Sequence, residues 1–274
     1  MEKMIPDRLA ILGHPARLAL FRLLMRRYPD RLPAGEIAGA LDLKASTLST
    51  YLSSLMQVGL VTQQRAGTSL MYSVDMETVR QTFDYLLVDC CRGRPEMCAP
   101  APAPRSSGKM SVLFLCTGNS ARSIMAEAIL RDMAGDRFKA YSAGTHPRDS
   151  VNPMALRTLE ANGIEPIGLS PKHMDAFQGH MAPQMDFVFT VCNQAANEEC
   201  PTWEGQPISG HWGLPDPSSL VASGFSIEDA YQHTYRALRQ RVAAFVQLQV
   251  DSLDRIALQS AIDSIARMPK DYDA

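Results

Sequence analysis

Apolar residues recur at helical spacing through Leu9, Leu12, Leu18, Phe21, Leu24 and Met25, and Pro15 sits where it would open a new helix. Residues 33–41 give a short second helix ending at Asp42, and Ala45-Ser46-Thr47 opens a third that runs to about Val58. Gly59 then stands where a helix ends in a left-handed turn. Two alternating runs, 61–65 and 69–74, flank Ala66-Gly67-Thr68 and predict a hairpin, with a last helix over about 76–88. Beyond residue 110 the pattern changes. Short apolar runs at 111–115 and 185–191 alternate with helical stretches such as 121–133, and an amphipathic helix is expected over 252–267, more for packing than for function.

Between the two patterns lies APAPAPRSSG at 99–108. Each proline lacks an N–H and fixes φ, so this stretch neither continues a helix nor pairs as a central strand. A linker is expected there, dividing the chain into 1–98, a linker at 99–109, a second domain at 110–250 and a helical extension at 251–274. The formal charge of -2 conceals an asymmetry: residues 1–110 hold 14 Lys and Arg against 10 Asp and Glu, leaving 13 against 19 beyond. A mildly basic front half is compatible with nucleic acid. No apolar run approaches the roughly 20 residues of a membrane span and no signal peptide is evident, which points to the cytoplasm and away from membranes.

Helix, short helix, polar-surfaced helix and hairpin is the order of an α+β winged helix-turn-helix. Ser46, Thr47, Ser49, Thr50 and Tyr51 would face out from the third helix, with Arg65 near the hairpin tip; small hydroxyls there suit phosphate and base-edge contacts. A Ser/Thr-rich face alone is ordinary solvated surface, and it is the order of elements that gives it this meaning. The runs LGHPARLALFRLL and LKASTLSTYLSSLMQVGLV, with the hairpin, resemble the ArsR family of metalloid- and metal-responsive repressors over roughly residues 5–90. The resemblance implies a homodimer on a two-fold symmetric operator DNA.

DCCRGRPEMC places Cys90, Cys91 and Cys98 at the end of this half, with Gly93 and Pro95 turning the chain back. Three converging thiolates suit a soft, thiophilic centre. Zinc would want a fourth ligand, whereas trivalent arsenic is satisfied by three sulfurs, so arsenite is the expected effector. Some members of the resembled family carry a comparable set. Incidental thiols are the plain alternative.

In the back half, the first apolar run ends at Cys116 and is followed by CTGNSAR and a helix. A strand, a loop of Thr117, Gly118, Asn119, Ser120 and Ala121, and a helix N-terminus make an anion cradle, because backbone N–H groups and the helix dipole favour negative charge. The same field is expected to lower the Cys116 pKa and make it a thiolate nucleophile. Arg122 would grip two oxygens of a tetrahedral oxyanion, Ser123 would donate to the sulfur, and Asn119 would hold the loop.

This stretch resembles the active-site loop of the low-molecular-weight tyrosine phosphatase and arsenate reductase superfamily, a resemblance covering about 109–248. It implies an α/β domain with a four-stranded parallel sheet and helices on both faces. YSAGTHP at 141–147 is expected after a second strand, and HWGLPDPSS at 211–219 after a fourth. Asp216-Pro217 matches the family's Asp-Pro pair and implies Asp216 as general acid. Potassium is implied through positions resembling Asn119, Glu127 and Ser142, with the remaining ligand not evident. No tightly bound cofactor is expected otherwise.

A phosphatase and a reductase share all of that. FTVCNQAANEECP adds Cys192 and Cys200, matching the redox segment of thioredoxin-coupled arsenate reductases. The implied relay runs from Cys116 to Cys192 to Cys200 and then to an external reductant, thioredoxin, glutaredoxin or a small thiol. Ala121 stands where a second loop cysteine is common, and Ser218 where phosphatases usually carry an aromatic residue. The reading is an arsenate-reducing enzyme fused to an arsenite-relieved repressor. The alternatives are a tyrosine phosphatase fused to a DNA-binding regulator, and a pure regulator whose back half binds oxyanion without turnover.

Overall fold

The computed structural model describes residues 4–92, 108–179, 181–198, 203–250 and 252–269. The chain divides into two compact units, Met1–Pro102 and Ala103–Ala274. The expected linker lies outside the described residues except for Gly108 and Lys109.

The first unit contains α1 (Met4–Leu12), α2 (Pro15–Arg27), β1 (Leu32–Pro33), α3 (Ala34–Ala40), α4 (Ala45–Gln57), β2 (Val61–Ala66), β3 (Ser69–Val74) and α5 (Met76–Tyr85). Pro15 occupies the first turn of α2, so the 9–27 pattern is two helices, the first beginning earlier than expected. Gly59 has φ +78° and Gly67 φ +59°, the left-handed conformations that end α4 and turn the hairpin. Leu20, Leu23, Leu24, Ile37, Leu52 and Leu55 close the core beneath. Two features differ from expectation. β1 pairs Leu32 with Tyr72, making the sheet three-stranded in the order β1-β3-β2. The last helix stops at Tyr85 and widens into a π turn, Leu86–Cys90.

The second unit contains β4 (Met110–Cys116), α6 (Arg122–Ala134), β5 (Phe138–Gly144), α7 (Pro153–Ala161), a 3-10 turn (Met174–Phe177), β6 (Phe187–Thr190), α8 (Asn193–Asn197), β7 (Ile208–His211), α9 (Pro217–Ala222), α10 (Ile227–Val246) and α11 (Arg255–Ala266). The four strands are parallel in the order β5-β4-β6-β7. β4 lies at an inner position and is buried on both sides, which is why it reads as a continuous apolar run.

The two faces of this sheet are covered differently. Val112 and Phe114 pack with residues of α6, α10 and α11, such as Ile129, Phe245 and Ile262. Leu113 and Leu115 face Phe177, Met185 and Val188, with Met174 and Trp203 against them. Among the described residues the second face is covered by the 3-10 turn and loop side chains, not by the helix layer expected. YSAGTHP does not follow β5 either, since its first four residues complete that strand.

The C-terminal helix belongs to the main core. Leu258, Ile262 and Ile265 are buried with the sheet, and Gln259 Nε2 donates to Ser209 O at 2.9 Å. Gly210 makes room for it, because a Cβ there would stand 2.7 Å from Ile262 Cγ2.

Candidate active site

The loop between β4 and α6 is held by the carbonyls on its outer side. Thr145 N–H donates to Cys116 O at 3.1 Å, His146 N–H to Thr117 O at 2.9 Å, Arg148 N–H to Gly118 O at 2.9 Å and Asn152 N–H to Ser120 O at 2.9 Å. In a planar trans peptide C=O and N–H point opposite ways. The N–H groups of Thr117, Gly118, Asn119 and Ala121 are therefore directed away from the 145–152 segment. Asn119 N–H accordingly donates to Cys116 Sγ at 3.1 Å. Ala121 caps α6 without any side-chain bond, and the Ser123 N–H at the helix start donates to the Cys116 sulfur, so the helix N-terminus faces the loop where an anion would sit. Asn119 adopts φ +42°, the bend that closes this nest. Gly144 must be glycine, since a Cβ there would lie 2.5 Å from Thr117 O.

Ser123 Oγ is 2.9 Å from Cys116 Sγ and accepts from Asn119 Nδ2 at 2.8 Å. The same amide group donates to Ser142 Oγ at 2.9 Å, so Asn119 pins the loop to both α6 and β5. The expected lowering of the Cys116 pKa does not hold. Burial pushes the thiol up, the neighbouring Cys192 sulfur adds to that, and Ser123 and Arg122 pull it down without offsetting the burial. The cradle lowers a thiol pKa in water-accessible loops, but this sulfur is only 3% exposed as a residue.

Arg122 arches over the loop. Its Nη1 donates to Leu214 O at 3.0 Å and its Nη2 to Asp216 Oδ2 at 2.5 Å. Asp216 caps α9, accepting from Ser218 N–H at 2.9 Å and from the Ser218 hydroxyl. Partial burial alone would raise its pKa, but the Ser218 hydroxyl, Arg122, the Ser218 amide and Arg148 together hold the carboxyl below its ordinary range. Ser218 thus has a role that the sequence reading gave only as an absent aromatic.

Cys192 is 1% exposed and caps α8 through its own sulfur, which accepts from Ala195 N–H at 3.4 Å. Thr117 Oγ1 stands 3.5 Å from that sulfur, so the residue after Cys116 touches the second thiol. Cys200 lies outside the described residues. Around the loop opens a cleft of about 770 Å³, whose walls include Arg148, His146, Gln194, Asn152 and Tyr231. Sequence reasoning gave none of the five a role, although His146 and Gln194 lie in segments it singled out. Arg148 follows YSAGTHP directly and its side chain crosses Gly118, where a Cβ would meet Arg148 Cγ at 3.3 Å.

In the first unit, Ser46, Ser49, Thr50 and Arg65 are exposed, while Thr47 and Tyr51 are half-buried. The Thr50 hydroxyl donates back to Ser46 O at 3.1 Å, and Arg65 Nε donates to Gly67 O at 3.2 Å. Cys90 is an exposed free thiol and Cys91 is engaged in a disulfide bond. Cys98 lies outside the described residues.

Residues 111–256 match the family model for low molecular weight phosphotyrosine protein phosphatase, and residues 12–64 match a helix-turn-helix domain. An arsenate reductase of Staphylococcus xylosus is 36% identical over 117 residues, covering 43% of this chain and 86% of that protein. An arsenate reductase of Shouchella clausii is 36% identical over 139 residues, covering 51% and 96%. The solved structure of an arsenate reductase from Archaeoglobus fulgidus aligns at 28% identity and TM-score 0.41, covering 50% of this chain and 99% of that one. With the matched segment spanning the anion loop, the parallel sheet and the Asp-Pro pair, the chain belongs to the low molecular weight phosphotyrosine protein phosphatase family, carrying a helix-turn-helix domain ahead of it.

Proposed function

We propose that the second unit reduces arsenate to arsenite, and that the first binds operator DNA as a homodimer and represses transcription until arsenite binds. The observation that carries the enzymatic reading is the buried Cys192 sulfur touching Thr117 Oγ1, one residue from the nucleophile. Hydrolysis has no use for a second thiol there. The two relatives named above, both arsenate reductases, support the same choice.

The chemistry follows from the groups in place. A seated arsenate takes the Cys116 proton, since this thiol holds its proton at neutral pH. Arg122 turns from Asp216 to two arsenate oxygens. Asp216 then faces an anion without its paired cation, both of which raise its pKa, and it becomes able to donate a proton. Cys116 sulfur bonds to arsenic, and the departing oxygen leaves as water with that proton. Cys192 sulfur attacks Cys116 sulfur and its proton passes to the departing arsenic oxyanion; the S–As bond breaks, its electron pair stays on arsenic, and arsenite and a Cys116–Cys192 disulfide result. Cys200 attacks Cys192, and a thioredoxin-type dithiol or small thiol reduces the final disulfide.

Arsenite sensing at Cys90, Cys91 and Cys98 requires all three as thiols, so the Cys91 disulfide has to be reduced first. The exposed Ser46, Ser49, Thr50 and Arg65 support DNA contact by this unit. The test is arsenate turnover with a thioredoxin system, alongside operator binding with and without arsenite. Rapid aryl phosphate hydrolysis with no arsenate-dependent thiol oxidation would overturn the enzymatic part in favour of a phosphatase. Unchanged operator affinity in arsenite would overturn the sensing part.

A further inference from the structure

The three side chains implied for potassium do come together, but they do not fit a metal cation. Asn119 turns its nitrogen, not its oxygen, toward Ser142; its Oδ1 accepts Lys172 N–H at 2.7 Å. Ser142 spends its hydroxyl proton on Glu127 Oε2 at 2.5 Å. Beside that carboxylate oxygen, at 3.8 Å, stands Lys172 Nζ, which also donates to Ser170 O at 2.8 Å. A second cation would meet an ammonium and an occupied amide oxygen.

We infer that Lys172 is a built-in cation, a positioning residue that neutralises buried Glu127 and so holds the anion loop in shape without bound potassium. Glu127 is only 6% exposed, and a carboxylate at that depth demands a countercharge. Lys172 supplies it from the side, while its backbone fixes the loop: its carbonyl accepts Gly144 N–H at 2.8 Å and its N–H meets Asn119. The chain of contacts then runs from Lys172 through Glu127 and Ser142 to Asn119, whose N–H reaches Cys116 Sγ. Charge at residue 172 therefore sets the geometry of the oxyanion nest although Lys172 does not line the cleft.

The inference rests on the loop being an oxyanion site, and its test is independent of arsenate reduction. Inorganic phosphate binding to the full chain is measured by calorimetry in potassium, sodium and choline salts at equal ionic strength. The wild type is expected to bind phosphate equally in all three. Lys172→Met should weaken phosphate by about tenfold or more in choline and recover part of it in potassium, while Lys172→Arg should bind as the wild type does. In turnover, Lys172→Met should raise KM more than it lowers kcat. Should Lys172→Met fold poorly, the double variant Lys172→Met with Glu127→Gln removes both charges and should restore folding and phosphate binding. A wild type that gains affinity several-fold from potassium overturns the inference. So does a double variant as weak as the single one, or a Lys172→Met protein indifferent to the change. If phosphate behaves as expected and arsenate is not reduced, the proposed reaction fails and this assignment stands.

Discussion

Arg122 and Asp216, 94 residues apart in sequence, are joined by a hydrogen bond of 2.5 Å directly above the anion loop. One partner is the group that would hold an oxyanion and the other the group that would protonate it, so in this arrangement each occupies the other. Binding an anion therefore costs the pair. Phosphate binding should take up a proton near neutral pH, measurable as a dependence of calorimetric heat on the ionisation enthalpy of the buffer. Asp216→Asn should abolish that uptake and reduce arsenate turnover by about 10²–10⁴-fold. Equal heats in all buffers for the wild type would remove Asp216 from the proton path.

Cys116 has a raised pKa, so the folded protein holds its proton more tightly than the unfolded chain does. Its contribution to stability is complete below the unfolded cysteine pKa and is lost as pH rises through the folded value. Iodoacetamide alkylation of Cys116, followed by mass spectrometry, should accelerate into the alkaline range without levelling near neutrality. Ser123→Ala removes a contact that lowers the pKa and should move the rise to still higher pH. A plateau reached at neutral pH would show that the cradle outweighs burial.

Much of this site was legible because its spacing is local. Cys116, the glycine-bearing loop and Arg122 are consecutive, and strand, loop and helix can be read in a line. Position across the chain was not legible. Lys172 meets Asn119 over 53 residues, and Arg148 reaches Gly118 through a turn that no periodicity announces. The direction of the Cys116 shift depends on how deeply the sheet buries it, a tertiary quantity. β1 is two residues long and exists only because Tyr72 is there to pair with Leu32, so no alternation marks it. The apolar stripe of α11 was readable, but not the glycine at 210 that receives it.

Thr117→Val should leave adduct formation intact and slow its resolution, because it removes the hydroxyl beside Cys192 Sγ and keeps the shape. Cys192→Ser should stop turnover after the first step. In single-turnover experiments both should accumulate the Cys116–arsenic adduct in intact mass spectra, Cys192→Ser fully. Arsenite released at the wild-type rate by Cys192→Ser would rule out the relay.

Gly144→Ala sets a methyl group 2.5 Å from Thr117 O and should cost about 1–3 kcal/mol of stability with loss of phosphate binding. Ile262→Ala, at the far end of the same unit, should cost about 2–5 kcal/mol by leaving a cavity under the sheet. Chemical denaturation checks both, and only the first should affect phosphate affinity once folded protein is compared.

The sulfur of Cys192 is also the cap of a five-residue helix, accepting Ala195 N–H. Once that sulfur bonds to another, the helix end loses this cap, while Ala195 and Ala196 remain buried. On the proposed relay, electron transfer at this position would also be a mechanical event, because the step that oxidises the thiol takes the cap from α8. Restoring that cap after reduction would then mark the end of each cycle.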